Sequence, residues 1–332
     1  MRKVYNPLTT GEAMSNKDKV LKALQKSKSE YISGEQLSEK LGVSRAMIWK
    51  CVRALRMEGY QIDAVTNRGY ALRRASAIRA KADFFVYDEI DSTNLQAKRL
   101  VLDGRAGHGS VAFAHRQTAG RGRLGRDFHS PKNGIYLSIV IHPDFDMSRS
   151  VLVTVAAAAA VAEAIDQVCG VETQVKWVND IFVKGRKVCG ILTEATTDFE
   201  TGAIDNLIIG IGVNTSVRGF PKELRGVAGA VPLGGEDAKA DLVEKIVQKT
   251  LKYVEEIGDE KMPEFMKIYR QKSLLIGKDI MVFKGAYRKD PQSELGGIRA
   301  KATGIDDAGG LRVRYEDGKR ETLTTGEVSV RL

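Results

Sequence analysis

The excess positive charge of this chain is confined to its first quarter, which divides the sequence into at least two folding units. Residues 1–82 contain 17 basic residues (Lys and Arg) and 7 acidic residues (Asp and Glu), whereas residues 83–332 contain 35 basic and 35 acidic residues. A chain of 332 residues is long enough for two or three domains. The net charge of +10 therefore predicts that the first segment contacts a polyanion.

The basic segment has the pattern of a helix-turn-helix followed by a hairpin. Leu37 and Leu41 are one helical turn apart, Gly42 interrupts the helix, and Ser44 can cap the next one. Residues 59–72 then give two short β-rich runs around an Asn-Arg-Gly turn, the pattern of a wing.

The second helix of this motif has a polar face turned away from its apolar stripe of Ile48, Val52 and Leu55. That face consists of Arg45, Trp49, Lys50 and Arg53. The alternative is an ordinary solvated face on a three-helix domain. The charge confined to this segment and the complete motif favour DNA binding through these four residues.

From Phe84 onward the pattern changes, and we expect an α+β multidomain protein. Alternating β-rich and helical segments predict a central mixed-sheet α/β core, and short strands with glycine-rich turns predict a small β-barrel at the end. The expected divisions are a flexible leader 1–15, a winged helix-turn-helix domain 16–75, a linker 76–83, a core 84–272 and a small barrel 273–332.

The cysteines and the apolar segments favour a cytoplasmic protein without a membrane span. Cys51, Cys169 and Cys189 have no CxxC spacing, and the N-terminus lacks the apolar core of a signal peptide. The most apolar stretch, residues 151–165, is short and alanine-rich for a bilayer span. The four histidines share no metal-ligand spacing, so we expect no protein-bound zinc, haem or other metal site.

The segment AGRGRLGRD, residues 119–127, places three glycines and three arginines between Gly120 and Arg126. Glycine lets a backbone approach a ligand, and arginine offers a planar fork to phosphate or carboxylate oxygens. The segment lacks the Gly-Lys-Ser/Thr ending of a Walker A motif, and a β-rich run follows it where GxGxxG would open a helix. We expect a mobile loop that closes over a nucleotide or another anion. An RGG-type nucleic-acid tract is the alternative, disfavoured by the flanking strands.

Two further polar groups stand near predicted strand and helix ends. Lys176, Asn179 and Asp180 are expected at the end of one strand, and Lys187 at the start of the next. Alone, this group favours a hairpin tip bearing ordinary surface lysines. The quartet DSTN, residues 91–94, is by itself only a candidate capping box.

Together and in this order, these segments resemble the biotin–protein ligases, specifically the bifunctional class that also represses biotin synthesis genes. The matching motifs are Ser92-Thr93-Asn94, Gln117 followed by GRGRLGR, Ser130-Pro131, KWVND, RKVCGILTE, and Gly210, Gly212 and Asn214. The winged helix in front and the small barrel behind extend the resemblance to nearly the whole chain. Val178 stands where the family's KWPND motif has proline, and Phe128 stands where tryptophan is common after the arginine loop.

The resemblance implies an enzyme that uses ATP and Mg²⁺ to make biotinyl-5′-AMP and then transfers biotin to a lysine of a biotin carboxyl carrier protein. The implied catalytic residues are Lys187, Arg121 and Asp180. The implied biotin and adenylate contacts are Ser92, Thr93, Asn94, Gln117, Gly120, Arg121, Gly122, Arg123, Lys187 and Gly190. Arg126, Lys176 and Asn179 are the implied ATP and pyrophosphate contacts.

The same resemblance implies operator DNA as a second partner and a homodimer in the adenylate-bound form. Three alternatives stay open from the sequence. They are a lipoate–protein ligase, a biotin-sensing transcription factor without ligase activity, and a ligase whose winged helix no longer binds DNA.

Overall fold

The computed structural model describes residues 15–27, 31–57, 62–65, 68–72, 83–143, 145, 147–197, 204–224, 226–258, 262–284, 297–324 and 328–331. The chain divides into two compact units, residues 1–81 and 82–332. The expected leader 1–15 and linker 76–83 lie outside the described residues, except for Ser15 and Asp83.

The first unit is the expected helix-turn-helix with a hairpin. Its elements are α1 (Asn16–Lys26), α2 (Gly34–Leu41), α3 (Arg45–Met57), β1 (Ile62–Val65) and β2 (Gly69–Leu72). Gly42 ends α2 with φ 66°, a left-handed conformation that glycine adopts without steric cost. The Ser44 hydroxyl accepts a hydrogen bond from the Met47 amide, which confirms its capping role at α3.

A small apolar core holds this unit together. Leu37, Ile48, Val52 and Leu55 are buried in one cluster with side chains from α1. The hairpin is antiparallel, and Ile32 pairs with Tyr70 through two backbone hydrogen bonds of 2.9 and 2.8 Å. These contacts fix the hairpin beside the start of α2, the position of a wing.

The second unit is built on a seven-stranded mixed sheet, as expected. Its strands are β3 (Phe84–Tyr87), β4 (Val111–Ala114), β5 (Ile135–Ile141), β6 (Thr173–Lys176), β7 (Asp180–Val183), β8 (Arg186–Thr197) and β9 (Ile204–Val213). The order is β3-β4-β5-β9-β8-β7-β6, with β3 and β4 parallel and all other neighbours antiparallel. Four helices accompany it: α4 (Thr93–Leu102), α5 (Ser150–Cys169), α6 (Glu236–Glu255) and α7 (Glu264–Gln271).

Helix α5 corrects one expectation. It has 20 residues and passes a length and hydropathy test for a membrane span, so the argument that this segment is too short was wrong. Nearly all of its apolar side chains are buried in the main core of the unit, against α6 and the sheet. Burial in the protein accounts for the apolar character of this helix.

The KWVND segment also differs from expectation. Lys176 ends β6, whereas Asp180 begins β7, so the two do not share a strand end. Antiparallel pairing of Lys176 with Asp180 forces the chain to reverse over Trp177–Asn179. Between β7 and β8 the chain turns at Lys184-Gly185, where φ is 49° and 73°.

The last strands are β10 (Asp279–Lys284), β11 (Ile298–Ile305), β12 (Leu311–Tyr315), β13 (Arg320–Leu323) and β14 (Val328–Arg331). They form an antiparallel sheet of order β13-β12-β11-β10-β14. Alternate residues such as Ala300, Ala302 and Val313 are buried in the same core as the central sheet. The C-terminal sheet therefore belongs to the compact unit that carries the site and shares its core.

Candidate functional site

A cavity of about 210 Å³ collects the polar segments that the sequence singled out. Its wall comes from the start of α4, the glycine–arginine loop, the β6–β7 turn and the adjacent strands β8 and β9. The lining residues are Ser92, Thr93, Asn94, Gln117, Arg121, Gly122, Arg123, Arg126, Asp127, Phe128, Lys176, Trp177, Asn179, Asp180, Lys187, Gly190, Ile191, Leu192, Gly210, Ile211 and Gly212. Cationic, amide and hydroxyl groups thus face one space.

The glycine–arginine loop forms a small hairpin of its own. Phe128 N donates to the Gly120 carbonyl at 2.9 Å, and Gly122 N donates to the Arg126 carbonyl at 2.7 Å. Gly120 is buried behind the cavity wall, where a Cβ would lie 2.4 Å from the Phe128 carbonyl oxygen. In this conformation the Gly122 N–H is used inside the loop, and three arginine side chains line the cavity.

The loop ends on Phe128, whose ring covers two glycines on neighbouring strands. Gly190 of β8 and Gly212 of β9 stand opposite each other in the sheet. A Cβ on Gly212 would lie 2.4 Å from the Phe128 ring, and one on Gly190 would lie 3.1 Å from it. At position 212 only glycine leaves room for this ring, and at position 190 a Cβ would press on it, so the paired glycines form a seat for the end of the loop.

The start of α4 is fixed to the loop through the Gln117 amide. Gln117 Oε1 accepts from Thr93 N at 2.8 Å and from Thr93 Oγ1 at 3.1 Å. Gln117 Nε2 donates to Ser130 Oγ at 2.9 Å. Ser92 stands at the N-cap position, but its side chain makes no capping hydrogen bond, so its hydroxyl is available to the cavity.

Asn94 belongs to a buried network. Its Oδ1 accepts from Ser138 Oγ at 2.6 Å, and its Nδ2 donates to Glu194 Oε2 at 2.7 Å and to the Leu192 carbonyl at 3.3 Å. Lys98 Nζ donates to the other Glu194 oxygen at 2.8 Å. Both amide hydrogens of Asn94 are therefore occupied by the protein, and the side chain packs beneath Gly210.

The charge of Glu194 is stabilised by this network. Burial acts to raise the pKa of its carboxyl, but the hydrogen bonds from Lys98 and Asn94 and the charges of Lys98 and Arg121 more than offset it. The net effect lowers the Glu194 pKa below its usual range, so this carboxylate is ionised beside the cavity.

An ion pair in the cavity joins the two hairpin strands β7 and β8. Lys187 Nζ lies 2.6 Å from Asp180 Oδ1, and the two side chains are 30% and 25% exposed. Arg123 Nη1 donates to Asn179 Oδ1 at 3.4 Å. Burial is the main cause of a lowered pKa at Arg123, which the charge of Asp180 partly offsets. A partly buried guanidinium in this position favours an anion as its neighbour.

A second layer fixes the β6–β7 turn. Trp177 Nε1 donates to the Gly309 carbonyl at 3.0 Å, across 132 residues of sequence. The fully buried Tyr269 hydroxyl donates to the Val178 carbonyl at 3.0 Å, and burial raises its pKa strongly. The turn that holds Asn179 and Asp180 is thus anchored to both α7 and the C-terminal sheet.

The structure brings together in one cavity every residue expected to contact biotin, adenylate or ATP except Gly120, which packs behind the wall. Phe128, Trp177, Leu192, Gly210 and Gly212 line the cavity without having been assigned there. Glycines inside the buried strand NLIIGIGVNTS were an available signal, because a strand glycine often marks the close approach of another group. Lys98 and Glu194 carried no comparable signal.

The other candidate interface lies on α3 of the first unit. Arg45, Lys50 and Arg53 are exposed and Trp49 is half-buried, as expected for a polar helix face. The Arg53 guanidinium carbon lies 5.6 Å from the centre of the Trp49 ring. The face presents cations together with one aromatic surface.

Comparison with known proteins gives a consistent result along the chain. Residues 86–214 match the Biotin/lipoate A/B protein ligase family, residues 16–71 an HTH domain, and residues 294–331 the Biotin protein ligase C terminal domain. The chain is 30% identical over 307 residues to the bifunctional ligase/repressor BirA of Bacillus spizizenii, covering 87% of this chain and 91% of that protein.

Two further relatives support the match. BirA of Escherichia coli is 28% identical over 316 residues, covering 91% of this chain and 94% of that protein. A biotin protein ligase from Aquifex aeolicus, solved in complex with biotin and ATP, superposes with a TM-score of 0.60 at 25% identity. It covers 75% of this chain, and 98% of that chain is matched. This chain therefore belongs to the biotin protein ligase family, among the members that carry an N-terminal helix-turn-helix domain.

Proposed function

We propose that this chain is an ATP-dependent biotin–protein ligase that also represses biotin genes by binding operator DNA. One observation carries the ligase function. Lys187, three loop arginines and the Thr93–Gln117 hydrogen-bond pair all face a single cavity. That combination suits a ligand with a carboxylate, a phosphate and a polar ring.

In the first half-reaction, a biotin carboxylate oxygen attacks the α-phosphorus of ATP. A new P–O bond forms, the bond to the β-phosphate oxygen breaks, and pyrophosphate leaves. Two anions must approach each other, so their repulsion must be screened. Lys187 contacts both, Arg121 and Arg123 cover the adenylate, and Arg126 steers the outgoing pyrophosphate. Lys176 and Asn179 contribute further contacts to the triphosphate.

Ser92, Thr93 and Gln117 supply hydrogen bonds to the polar ring and chain of biotin. Asn94 supports this wall in another way. Its amide hydrogens are used by Glu194 and Leu192, so it holds the floor of the pocket under Gly210. Gly122 and Gly190 leave room for the ligand, and Gly120 allows the loop to pack closely behind the wall.

In the second half-reaction, the carrier lysine attacks the acyl carbon of the adenylate and AMP leaves. The attacking amine must first lose a proton. Asp180 accepts this proton or orients the amine, and its ion pair with Lys187 at 2.6 Å keeps it at the reaction centre. A closed loop protects the adenylate from water.

The proposed reaction would use Mg²⁺ bound to the ATP phosphates. In the described part of the chain, no group of three or more His, Cys, Asp and Glu side chains could hold a metal. The cavity does present the carboxylates of Asp127 and Asp180, and Mg²⁺ often binds through one or two carboxylates plus phosphate oxygens. These residues fit an ion carried by the triphosphate. When bound, the ion neutralises phosphate charge.

The repressor function uses the α3 face of Arg45, Trp49, Lys50 and Arg53. We propose that the adenylate-bound protein is a cytoplasmic homodimer that binds a two-half-site operator. We also propose that residues 273–332 close into an SH3-like barrel and that residues 76–83 link the DNA-binding domain to the ligase core 84–272.

A transfer assay tests the ligase function directly. Labelled biotin, ATP and a purified apo carrier domain of acetyl-CoA carboxylase are expected to give a labelled carrier only when all components are present. The ligase function would be contradicted if the carrier were labelled at the same rate without ATP, or if it were not labelled when ATP is present.

A second assay tests the repressor function. Gel retardation on a palindromic operator is expected to tighten when biotin and ATP are added together. Equal retardation in both conditions would contradict adenylate-dependent repression.

A further inference from the structure

The outer face of the C-terminal sheet is strongly basic. Five exposed cations alternate with buried apolar residues on β11, β12 and β13 and therefore point to the same side. They are Arg299, Lys301, Arg312, Arg314 and Arg320, referred to below as the basic face.

The strand register places like charges next to each other. Lys301 stands directly opposite Arg314, and Arg314 stands directly opposite Arg320. Directly opposed side chains have Cβ atoms about 5 Å apart, and like charges in such pairs are destabilising. Asp279 flanks Lys301 on the other side, yet none of the five cations forms an ion pair with any residue that the structure describes.

The basic face lies close to the cavity. The turn between β11 and β12 contains Gly309, whose carbonyl accepts the hydrogen bond from Trp177 in the cavity wall. Arg312 follows three residues later, which corresponds to about 10 Å of extended chain. A standard protein–protein interface buries about 800 Å² per partner and spans about 30 Å. A protein that inserts a lysine into the cavity would therefore have this face within the span of one such interface.

We infer that the basic face is a docking surface for an acidic surface of the carrier protein, an inference that rests on the proposed ligase function. Charge complementarity steers the encounter and speeds association more than it changes the chemistry. Single-stranded nucleic acid fits less well, because Tyr315 is the one aromatic residue of these three strands and it is buried.

The test compares charge-reversed variants in the transfer assay. K301E/R314E is expected to raise the KM for an apo acetyl-CoA carboxylase carrier domain about tenfold or more at an ionic strength of about 0.01 M, with kcat unchanged. The difference should shrink towards twofold at about 1 M, where screening is nearly complete. The control K245E/K267E carries the same change of charge on α6 and α7 and should behave as the wild type.

Each outcome separates the two proposals. Adenylate synthesis measured without carrier should be equal in all variants, and its absence from the wild type would contradict the ligase function alone. An unchanged KM in K301E/R314E overturns the docking inference. A fall in operator DNA binding with an unchanged KM overturns it as well and assigns the face to nucleic acid. The neutralising variant K301Q/R314Q should give an intermediate KM, and it replaces the reversal if that disturbs folding.

Discussion

Replacing Gly212 by alanine should displace the end of the glycine–arginine loop. The new Cβ would lie 2.4 Å from Phe128 Cε1 and 2.7 Å from Cζ. Ordinary carbon contacts begin near 3.5 Å, so the ring must retreat by about 1 Å. The Phe128 amide is bound to the Gly120 carbonyl at 2.9 Å, and the ring also packs on Gly190, so the loop must move with it.

Overpacking of this kind typically costs about 1–3 kcal/mol, which corresponds to about 5- to 150-fold in an equilibrium constant. We therefore expect G212A to retain biotinyl-5′-AMP more weakly by that factor, measured as dissociation of the labelled adenylate. The control G234A adds a Cβ with no atom within 4 Å and should match the wild type.

The variant F128A separates this clash from a direct effect on the ligand. Without the Phe128 ring the new Cβ has no steric clash, so G212A should weaken adenylate retention little in the F128A background. Equal costs in both backgrounds would show that Gly212 does not act through Phe128, and wild-type retention by G212A would refute the packing argument altogether.

Three further changes test the biotin side of the site, the buried network beside it and the DNA-binding helix. Q117A removes the acceptor of two Thr93 hydrogen bonds. It should raise the KM for biotin about tenfold or more and leave the KM for ATP unchanged, as measured by pyrophosphate release. Equal changes in both KM values would contradict a role on the biotin side of the cavity. E194Q should lower the melting temperature near neutral pH. Folding lowers the pKa of Glu194, so its carboxylate stabilises the folded state fully above the unfolded-state pKa, and this stabilisation is lost as pH falls through the folded-state pKa. The difference in melting temperature between wild type and E194Q should therefore vanish in acid. A difference that stays constant with pH would contradict this direction. R53A should weaken operator binding and reduce the salt slope by about one, and an unchanged slope would remove Arg53 from the phosphate contacts.

The sequence predicted those parts of the fold that depend on local pattern. Helix periodicity and the glycine at position 42 are local signals, and they were sufficient for the helix-turn-helix. The loop arginines could also be assigned to an anion, since charge and glycine at such density have few structural uses, whereas Lys187 was assigned through the family resemblance. Their shared cavity agrees with that assignment.

What the sequence could not predict depends on pairing between distant strands. Gly190 meets Gly212, and Leu192 meets Gly210, only in the register of β8 with β9. The seat of Phe128 and the network of Asn94 with Glu194 follow from that register. Asn179 and Asp180 were expected with Lys176 at the end of one strand because no local signal marked the reversal at Trp177–Asn179; Asp180 instead begins β7.

The most direct test of the ligase assignment is the rate of adenylate formation in K187M. Wild-type protein mixed with biotin and α-labelled ATP should form about one equivalent of biotinyl-5′-AMP per site, and K187M should do so at least about a hundredfold more slowly. A matched K184M variant, altered at the exposed hairpin tip, should keep the wild-type rate. Wild-type adenylate formation by K187M would show that the cavity does not join the two anions through this lysine.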